Sequence, residues 1–332
     1  MKRHICLKKI VSFFLAVLVL VITIVVLNSS AIQSGVQYKV YDAKTGALLR
    51  SYYLNNDDNT SSVQGVIGTE DRYIDWTKIG IVKIICEPFL GNYYIQATGF
   101  VVDRHTIATA AHTVMEKGSL DRKKVTEILL FENVDSTSSN VQPSKRVTAV
   151  EYHIPIKYML NNNGYDQNGN AKYTGIADYA LITVKEDLKD YVQFDLSIPL
   201  DSTQNNDNNI WNNPQNQNNK IKITGFPGRI GNLNDLTDVN WDTNHNMYTG
   251  EGSVTNIESE KIHTNIDASS GNSGSPIYME ETVNGKVYNT VIGLYTTTHY
   301  YTNPNVDSFD SSGIRFTADV LQFFCGNKNK QY

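Results

Sequence analysis

The chain has 332 residues, of which 29 are basic and 34 are acidic, and it carries a net charge of −5 at pH 7. Affinity for nucleic acid comes mainly from basic side chains that neutralise phosphates, and an acidic chain without a basic cluster lacks that contribution. The composition therefore excludes nucleic acid as an expected partner.

An export segment is predicted at the N-terminus. Basic residues precede an apolar run over residues 10–27, and Ser29-Ser30-Ala31 supplies the small residues of a cleavage site after Ala31. The run is longer than the roughly 7–15 residues of an ordinary signal peptide and just reaches the length that spans a bilayer. Residues 1–31 are therefore predicted as a cleaved signal peptide of a secreted protein. The open alternative is a signal-anchor that stays in the membrane through residues 10–27.

Short strand patterns separated by turn signals follow for most of the chain. This arrangement favours an all-β fold with a pair of barrels over alternating strands and helices. The apolar runs at residues 81–86 and 99–102 are predicted strands of a first barrel.

A hairpin and a helix are predicted near the C-terminus. The strand patterns at residues 275–283 and 286–294 flank Asn284-Gly285, which is the strongest sequence signal for a two-residue hairpin turn. In the last segment the apolar residues follow helical spacing. They are Val320, Leu321 and Phe324.

Two long polar segments interrupt the strand patterns. The run at residues 166–170 is rich in aspartate and asparagine, but Ala171 and Ala177 stand where a calcium-binding loop needs glycine and glutamate. The asparagine- and glutamine-rich run at residues 203–219 is predicted as a solvated loop between the barrels. We predict no metal site in either segment.

Three motifs carry candidate catalytic residues: His112 in TAAHT, Asp178 in DYALI and Ser273 in GNSGSP. A serine hydroxyl becomes a nucleophile when an imidazole takes its proton, and a carboxylate fixes the tautomer of that imidazole. The chain order His, Asp, Ser is that of the chymotrypsin fold and differs from those of α/β-hydrolases and subtilisins. Asp178 is preferred over Asp166 and Asp187 because only its context is apolar, and a buried carboxylate needs a partner.

The residues around the serine predict an oxyanion hole. Gly271 lies two residues before Ser273, and its missing Cβ permits the backbone conformation that turns both amide groups toward the substrate oxyanion. The segment does not match the G-x-S-x-G elbow of lipase-like enzymes, because Ser275 stands at the position of the final glycine. We predict the amides of Gly271 and Ser273 as the oxyanion hole.

Seven motifs spread over residues 66–325 match one family in its own order. They are VIGTEDR from Val66, ATGFVV from Ala97, TIATAAHT from Thr106, DYALI from Asp178, ITGFPG from Ile223, GNSGSPIY from Gly271 and VIGLY from Val291. The sequence thus resembles the glutamyl endopeptidase branch of bacterial chymotrypsin-fold serine proteases, which includes the exfoliative toxins.

The resemblance implies a fold and its boundaries. We expect an all-β protein of two six-stranded antiparallel β-barrels with a C-terminal helix, forming a protease domain over residues 66–332. The first barrel is expected over about residues 66–198, the second over about 220–316 and the helix over about 317–325.

The resemblance also implies processing and a possible disulfide bond. Because the VIG motif lies near the mature N-terminus in the family, residues 32–65 are predicted as a propeptide. The alternative is an ordered extension, since YKVYDAKTG from Tyr38 combines a strand-like alternation with a turn. Cys86 and Cys325 would be bridged if the helix packs on the first barrel as in the family, and two separate buried thiols are the alternative.

Four residues are predicted to form the S1 pocket: Asp267, Ala268, Tyr295 and Thr296. In glutamyl endopeptidases a histidine stands at the position of Tyr295 and a threonine at that of Ala268, so both departures argue against glutamate specificity. Asp267 lies where trypsin-type enzymes hold the carboxylate for Lys or Arg, although some glutamyl enzymes also have aspartate there. If backbone amides bind Asp267, the pocket favours a neutral or polar residue, and we prefer this second interpretation.

These observations predict a secreted serine endopeptidase that acts on protein or peptide substrates as a monomer, through an acyl-enzyme and without a cofactor. The alternative is a proteolytically silent exported binding or adhesion protein that retains the protease fold. The intact triad and oxyanion glycine argue against it, because only catalysis needs all of these residues together.

Overall fold

The computed structural model describes residues 35–42, 48–55, 71–88, 93–132, 141–167, 169–199, 220–230, 240–241, 246–303 and 306–327. The predicted signal peptide at residues 1–31 and the polar run at residues 203–219 lie outside this described part. Within it, no helix has the length and apolar character needed to cross a membrane.

The first sheet is antiparallel and contains nine strands in the order β2-β1-β9-β10-β6-β5-β4-β7-β8. The apolar runs predicted as strands lie in β4 and β5. The strands are β1 (Gly35–Asp42), β2 (Leu48–Asn55), β4 (Ile81–Glu87), β5 (Ile95–Asp103), β6 (Thr106–Thr109), β7 (Lys124–Leu130), β8 (Lys145–Val147), β9 (Ala149–Pro155) and β10 (Ala180–Val184).

The second sheet contains a closed ring of six strands in the order β12-β15-β16-β19-β18-β17, with β17 pairing back to β12. The short strand β3 pairs with β15, and β11 lies parallel to β18. The strands are β3 (Tyr73–Ile74), β11 (Phe194–Leu196), β12 (Lys220–Gly225), β15 (Tyr248–Ile257), β16 (Lys261–Thr264), β17 (Pro276–Val283), β18 (Lys286–Asn303) and β19 (Val306–Arg315).

The remaining elements are short. A separate hairpin pairs β13 (Arg229–Ile230) with β14 (Asn240–Trp241). The helices are α1 (Ala111–Val114), α2 (Ile156–Asn161), a 3₁₀ turn at Lys189–Tyr191, and the C-terminal α3 (Ala318–Asn327).

The predicted hairpin turn between β17 and β18 is present. Asn284 and Gly285 have φ angles of 53° and 78°, and positive φ at both central residues is the mark of a type I′ turn. This turn fits the right-handed twist of the two strands that it joins.

The C-terminal helix packs against the start of β10. Tyr179 meets Phe323 and Phe324 with ring centroids 5.1 and 6.2 Å apart, in edge-on arrangements. Because Tyr179 follows Asp178 directly, the helix packs against the loop that carries the Asp178 side chain. The predicted helix is therefore present, and it supports the position of Asp178.

The fold is chymotrypsin-like and mainly β, as predicted, but the two barrels differ. The second barrel is closed, whereas the described strands of the first sheet form a curled, open path. On this path β1 occupies the outer edge of β9, with Tyr38 opposite Pro155 and Asp42 opposite Glu151. Part of the predicted propeptide, residues 32–65, is thus a hairpin on the first sheet.

The two cysteines of the described chain are free thiols. Cys86 is buried in β4, whereas Cys325 is exposed on α3, so the structure contains no bridge between them. Burial raises the pKa of the Cys86 thiol to about 12 and keeps it protonated at neutral pH.

Candidate active site

Three loops at the ends of strands bring the candidate catalytic residues together. His112 is the second residue of α1, which follows β6, and Asp178 lies just before β10. Since β6 and β10 are hydrogen-bonded neighbours, the end of β6 lies beside the start of β10, and His112 and Asp178 are therefore close together. Ser273 comes from the second barrel, in the loop between β16 and β17. The site therefore lies between the two sheets.

A continuous chain of hydrogen bonds joins the three residues. Nε2 of His112 is 2.8 Å from Oγ of Ser273, and Nδ1 of His112 is 2.6 Å from Oδ2 of Asp178. The backbone N–H of His112 also donates to Oδ1 of Asp178 at 2.8 Å. This geometry can carry a proton from the serine hydroxyl to the imidazole, with the carboxylate fixing the ring.

Burial and charge set the ionisation of this pair. Burial lowers the pKa of His112, although the neighbouring Asp178 carboxylate opposes the shift. Burial alone would raise the pKa of Asp178, but the charge of His112 and the hydrogen bonds to the carboxylate outweigh it, so the pKa lies below its ordinary value. Near neutral pH the pair therefore has an ionised carboxylate beside an imidazole that can accept a proton.

Gly271, in the loop before Ser273, has a backbone conformation that favours glycine. Gly271 has a φ of +98°, and a Cβ there would lie 2.3 Å from the carbonyl oxygen of Phe226. Only glycine fits this position without a shift. Within the described chain, the amides of Gly271 and Ser273 donate to no other backbone group. Both can donate to a substrate oxyanion.

Comparison with protein families agrees with this geometry. The family model of the trypsin-like peptidase domain matches residues 97–287, more than half of the chain. The chain belongs to this peptidase family. The matched range includes His112, Asp178 and Ser273.

Solved structures show where the fold recurs. A Glu endopeptidase in complex with MPD superimposes with a TM-score of 0.51 at 18% identity, over 80% of this chain and 100% of that chain. The protease Anisep from Arthrobacter nicotinovorans gives 0.47 at 14%, over 76% and 97%. An inactivated protease paralogue of the scabies mite gives 0.48 at 11%, over 80% and 100%. No curated protein matches the sequence. At 18% identity the first likeness shows the fold, and it is the predicted one.

A cavity of about 350 Å³ opens beside His112 and Ser273. Gln96 of β5 and Lys117 of the loop after α1 contribute to its wall, and the loop between β16 and β17 contributes Ser269, Ser270 and Gly271. His112 and Ser273 also face this space. A molecule bound there would contact both Ser273 and Gly271.

The structure divides the four residues predicted for the S1 pocket. Tyr295 and Thr296 line the cavity. Asp267 and Ala268 do not line it; both are buried in the second barrel, where Ala268 packs in a core cluster with Ile266. The sequence position of Asp267 therefore does not bring its side chain into this wall.

Two residues near His112 and Asp178 are not predicted by any motif of the sequence. The Tyr173 hydroxyl donates a hydrogen bond to Oδ2 of Asp178, and the Lys117 ammonium lies 3.6 Å from the centroid of the Tyr173 ring. Tyr173 lies between the polar run at residues 166–170 and Asp178, where no sequence motif predicts a site residue. Its nearness to Asp178 in sequence, five residues, is the only signal that could have suggested it.

The side chains that could bind a metal ion are dispersed in the described part of the chain. Among the residues that it describes, no three His, Cys, Asp or Glu side chains lie close enough to hold a metal ion. In the calcium-like run, Asp166 instead accepts a hydrogen bond from the Asn170 backbone at 2.8 Å.

Proposed function

We propose that this peptidase is a secreted serine endopeptidase that cleaves peptide bonds with His112, Asp178 and Ser273 as its triad. The observation that carries the proposal is the hydrogen-bond chain from Asp178 through His112 to Ser273, next to a glycine-built oxyanion loop and an open cavity. Membership of the trypsin-like peptidase family supports the same reaction class.

The geometry suits acyl transfer in two halves. Oγ of Ser273 attacks the scissile carbonyl carbon while Nε2 of His112 takes the hydroxyl proton. The amides of Gly271 and Ser273 hold the oxygen that becomes negative, and ionised Asp178 stabilises the imidazolium. His112 then protonates the leaving amine, and a water molecule repeats the sequence on the acyl-enzyme to release the acid.

Export and maturation form part of the proposal. The basic and apolar pattern of residues 1–31 supports secretion, with membrane anchoring through residues 10–27 as the alternative. We propose a mature N-terminus near Val66, after removal of residues 32–65 as a propeptide. N-terminal sequencing of the exported active enzyme tests these steps, and an active enzyme that retains residues 10–27 would establish the anchor.

Mutations of the triad test the reaction. Because Ser273 and His112 act as one unit, Ser273→Ala and His112→Ala should each lower kcat by a factor on the order of 10⁶, with little further loss in the double variant. Asp178→Asn should cost on the order of 10⁴ through the wrong imidazole tautomer.

Covalent labelling separates the enzyme from a silent relative. A fluorophosphonate probe should label the wild-type protein at Ser273 and fail to label Ser273→Ala. Absence of labelling in correctly folded wild type would favour a binding or adhesion protein that retains the fold. Independent, multiplying losses in the Ser273 and His112 variants would contradict the triad.

We propose that the S1 pocket prefers a neutral or polar P1 residue over glutamate. Tyr295 and Thr296 in the cavity wall supply uncharged groups, while Asp267 and Ala268 lie outside that wall. The test compares kcat/KM for otherwise identical peptides with Glu, Lys, Gln and Leu at P1. Strong Glu preference would contradict the proposal and support a glutamyl endopeptidase. Lys preference that Asp267→Ser abolishes would support a trypsin-type pocket.

A further inference from the structure

Tyr173 contacts the triad from a segment that the reaction does not otherwise use. Its hydroxyl donates to Oδ2 of Asp178, which is also the atom that accepts the hydrogen bond of His112 Nδ1. We propose that Tyr173 is a positioning residue, which holds the Asp178 carboxylate and moderates the charge that this carboxylate presents to His112. The inference rests on the proposed function of the triad.

The hydrogen bonds around Asp178 explain how Tyr173 helps to hold the carboxylate. The carboxylate is completely buried, so it depends on its donors for stabilisation. The backbone N–H of His112 fixes Oδ1, while His112 Nδ1 and the Tyr173 hydroxyl both reach Oδ2. Among the described residues, the donors that remain to the carboxylate without Tyr173 both belong to His112, and the direction of Oδ2 is less constrained.

The oxygen Oδ2, which His112 and Tyr173 share, explains how Tyr173 moderates the charge of Asp178. A donor on Oδ2 draws negative charge away from the hydrogen bond to His112, so it weakens the attraction of Asp178 for the imidazolium. Tyr173 therefore helps to keep the His112 imidazole available as a base. Burial raises the pKa of Tyr173 well above its ordinary value, so the phenol remains a donor throughout the working range.

A buried asparagine fixes the segment that carries Tyr173. The side chain of Asn162 accepts a hydrogen bond from the Thr174 backbone N–H at 2.7 Å and donates to the Ile176 carbonyl at 3.3 Å. It also donates to the carbonyl of Tyr158 in α2, at 2.8 Å. Asn162 thus ties the residues that directly follow Tyr173 to α2.

Neighbouring rings and charges hold the tyrosine itself. The Tyr173 ring lies edge-on to His112, with centroids 5.9 Å apart, and the Lys117 ammonium sits over its face. A cation over the ring draws electron density from the phenol and makes its hydroxyl a better donor. The other ionisable groups that act on the pair or its neighbours are Lys123, Tyr158 and Glu116.

Tyr173→Phe tests the inference because it removes only the hydroxyl. We expect kcat to fall about tenfold with little change in KM, as for one charge-assisted hydrogen bond to a catalytic group. Loss of the donor strengthens the pull of Asp178 on the imidazolium and raises the pKa of His112. Since His112 must be neutral to act as a base, the acidic limb of the kcat/KM profile should move to higher pH.

The matched control is Tyr165→Phe, which alters an exposed tyrosine of the same segment, 61% exposed, and should leave both kcat and the acidic limb unchanged. Incorporation of 3-fluorotyrosine at position 173 strengthens the donor and should move the limb to lower pH. This second readout decides the question even if Tyr173→Phe folds poorly, as judged by circular dichroism.

The outcomes separate the two proposals. An inactive wild type that the fluorophosphonate probe does not label would refute the proposed function. An active wild type with an unchanged kcat and acidic limb in Tyr173→Phe, or an unmoved limb in the fluorotyrosine enzyme, would overturn the positioning role alone.

Discussion

In the proposed mechanism, single charges near His112 set its pKa and thereby its strength as a base. Burial lowers the pKa of His112, Asp178 raises it, and the nearby Lys117 and Lys123 lower it further. Lys117 is a half-buried cation in the wall of the cavity, whereas Lys123 donates to the His112 carbonyl at 2.7 Å. Lys117 can therefore be altered without removing a hydrogen bond to the His112 backbone.

Lys117→Met should move the acidic limb of the kcat/KM profile to higher pH. Removal of a like charge favours the imidazolium and raises the pKa of His112, so a higher pH is needed before the imidazole is neutral. Measurement of kcat/KM across pH gives the limb directly. Lys117→Arg preserves the charge and should retain the wild-type limb, and a limb of Lys117→Met at or below the wild-type position would contradict this account.

The sequence predicts some site residues and not others for a physical reason. His112, Asp178 and Ser273 each need a local context that a few adjacent residues already reveal, such as the apolar DYALI motif around the carboxylate. Tyr173 reaches Asp178 from a loop that Asn162 holds, and no local sequence pattern encodes the path of such a loop. Asp267 has the sequence position of a pocket residue, yet the packing of the second barrel keeps it outside the cavity wall.

Among the elements, tight turns are easier to predict from the sequence than the pairing of strands at the edge of a sheet. The turn of the β17–β18 hairpin follows from Asn284-Gly285, because both residues tolerate positive φ. The edge of β9 is different, since its partner β1 comes from a segment far away in sequence. Alternation from Tyr38 predicts a strand there but contains no information about which strand it meets.

The N-terminal hairpin gives a prediction about stability. A chain that begins at Val66 lacks β1 and leaves the outer backbone groups of β9 without their strand partners. Compared with a chain that begins at Ile32, it should melt earlier, with Tm lower by roughly 2–4 °C for each kcal/mol of pairing lost. Differential scanning calorimetry of both chains measures this shift, with each chain carrying Ser273→Ala to prevent autolysis.

The open edge also predicts association. An exposed strand edge pairs readily with another chain, so the shorter protein should elute earlier from a sizing column as its concentration rises. Equal Tm values and equal elution of the two chains would mean that the hairpin contributes nothing after folding, as expected of a propeptide that simply leaves.

At the scale of the whole molecule, the site depends on how the first sheet docks against the second barrel. Thr98 of β5 lies at this junction and is completely buried. Its hydroxyl donates to the Gly271 carbonyl at 2.7 Å and accepts from the Phe226 backbone N–H at 2.9 Å. Its own N–H donates to the Ser273 carbonyl at 2.9 Å. Thr98 thus connects the first sheet to the loop of the second barrel that carries Gly271 and Ser273.

Thr98→Val should therefore reduce both stability and catalysis. The substitution keeps the shape but leaves the Gly271 carbonyl and the Phe226 N–H buried without this partner, which costs about 1–3 kcal/mol for each group in the free energy of unfolding. Movement of Gly271 should also misplace an oxyanion donor, and loss of such a donor lowers kcat by about 10²–10³. Urea unfolding and peptide kinetics measure the two effects separately. Thr98→Ser keeps the hydroxyl and should recover most of the stability and most of kcat. Full kcat in a destabilised Thr98→Val would instead show that the loop of Gly271 and Ser273 holds its geometry without its contact with the first sheet.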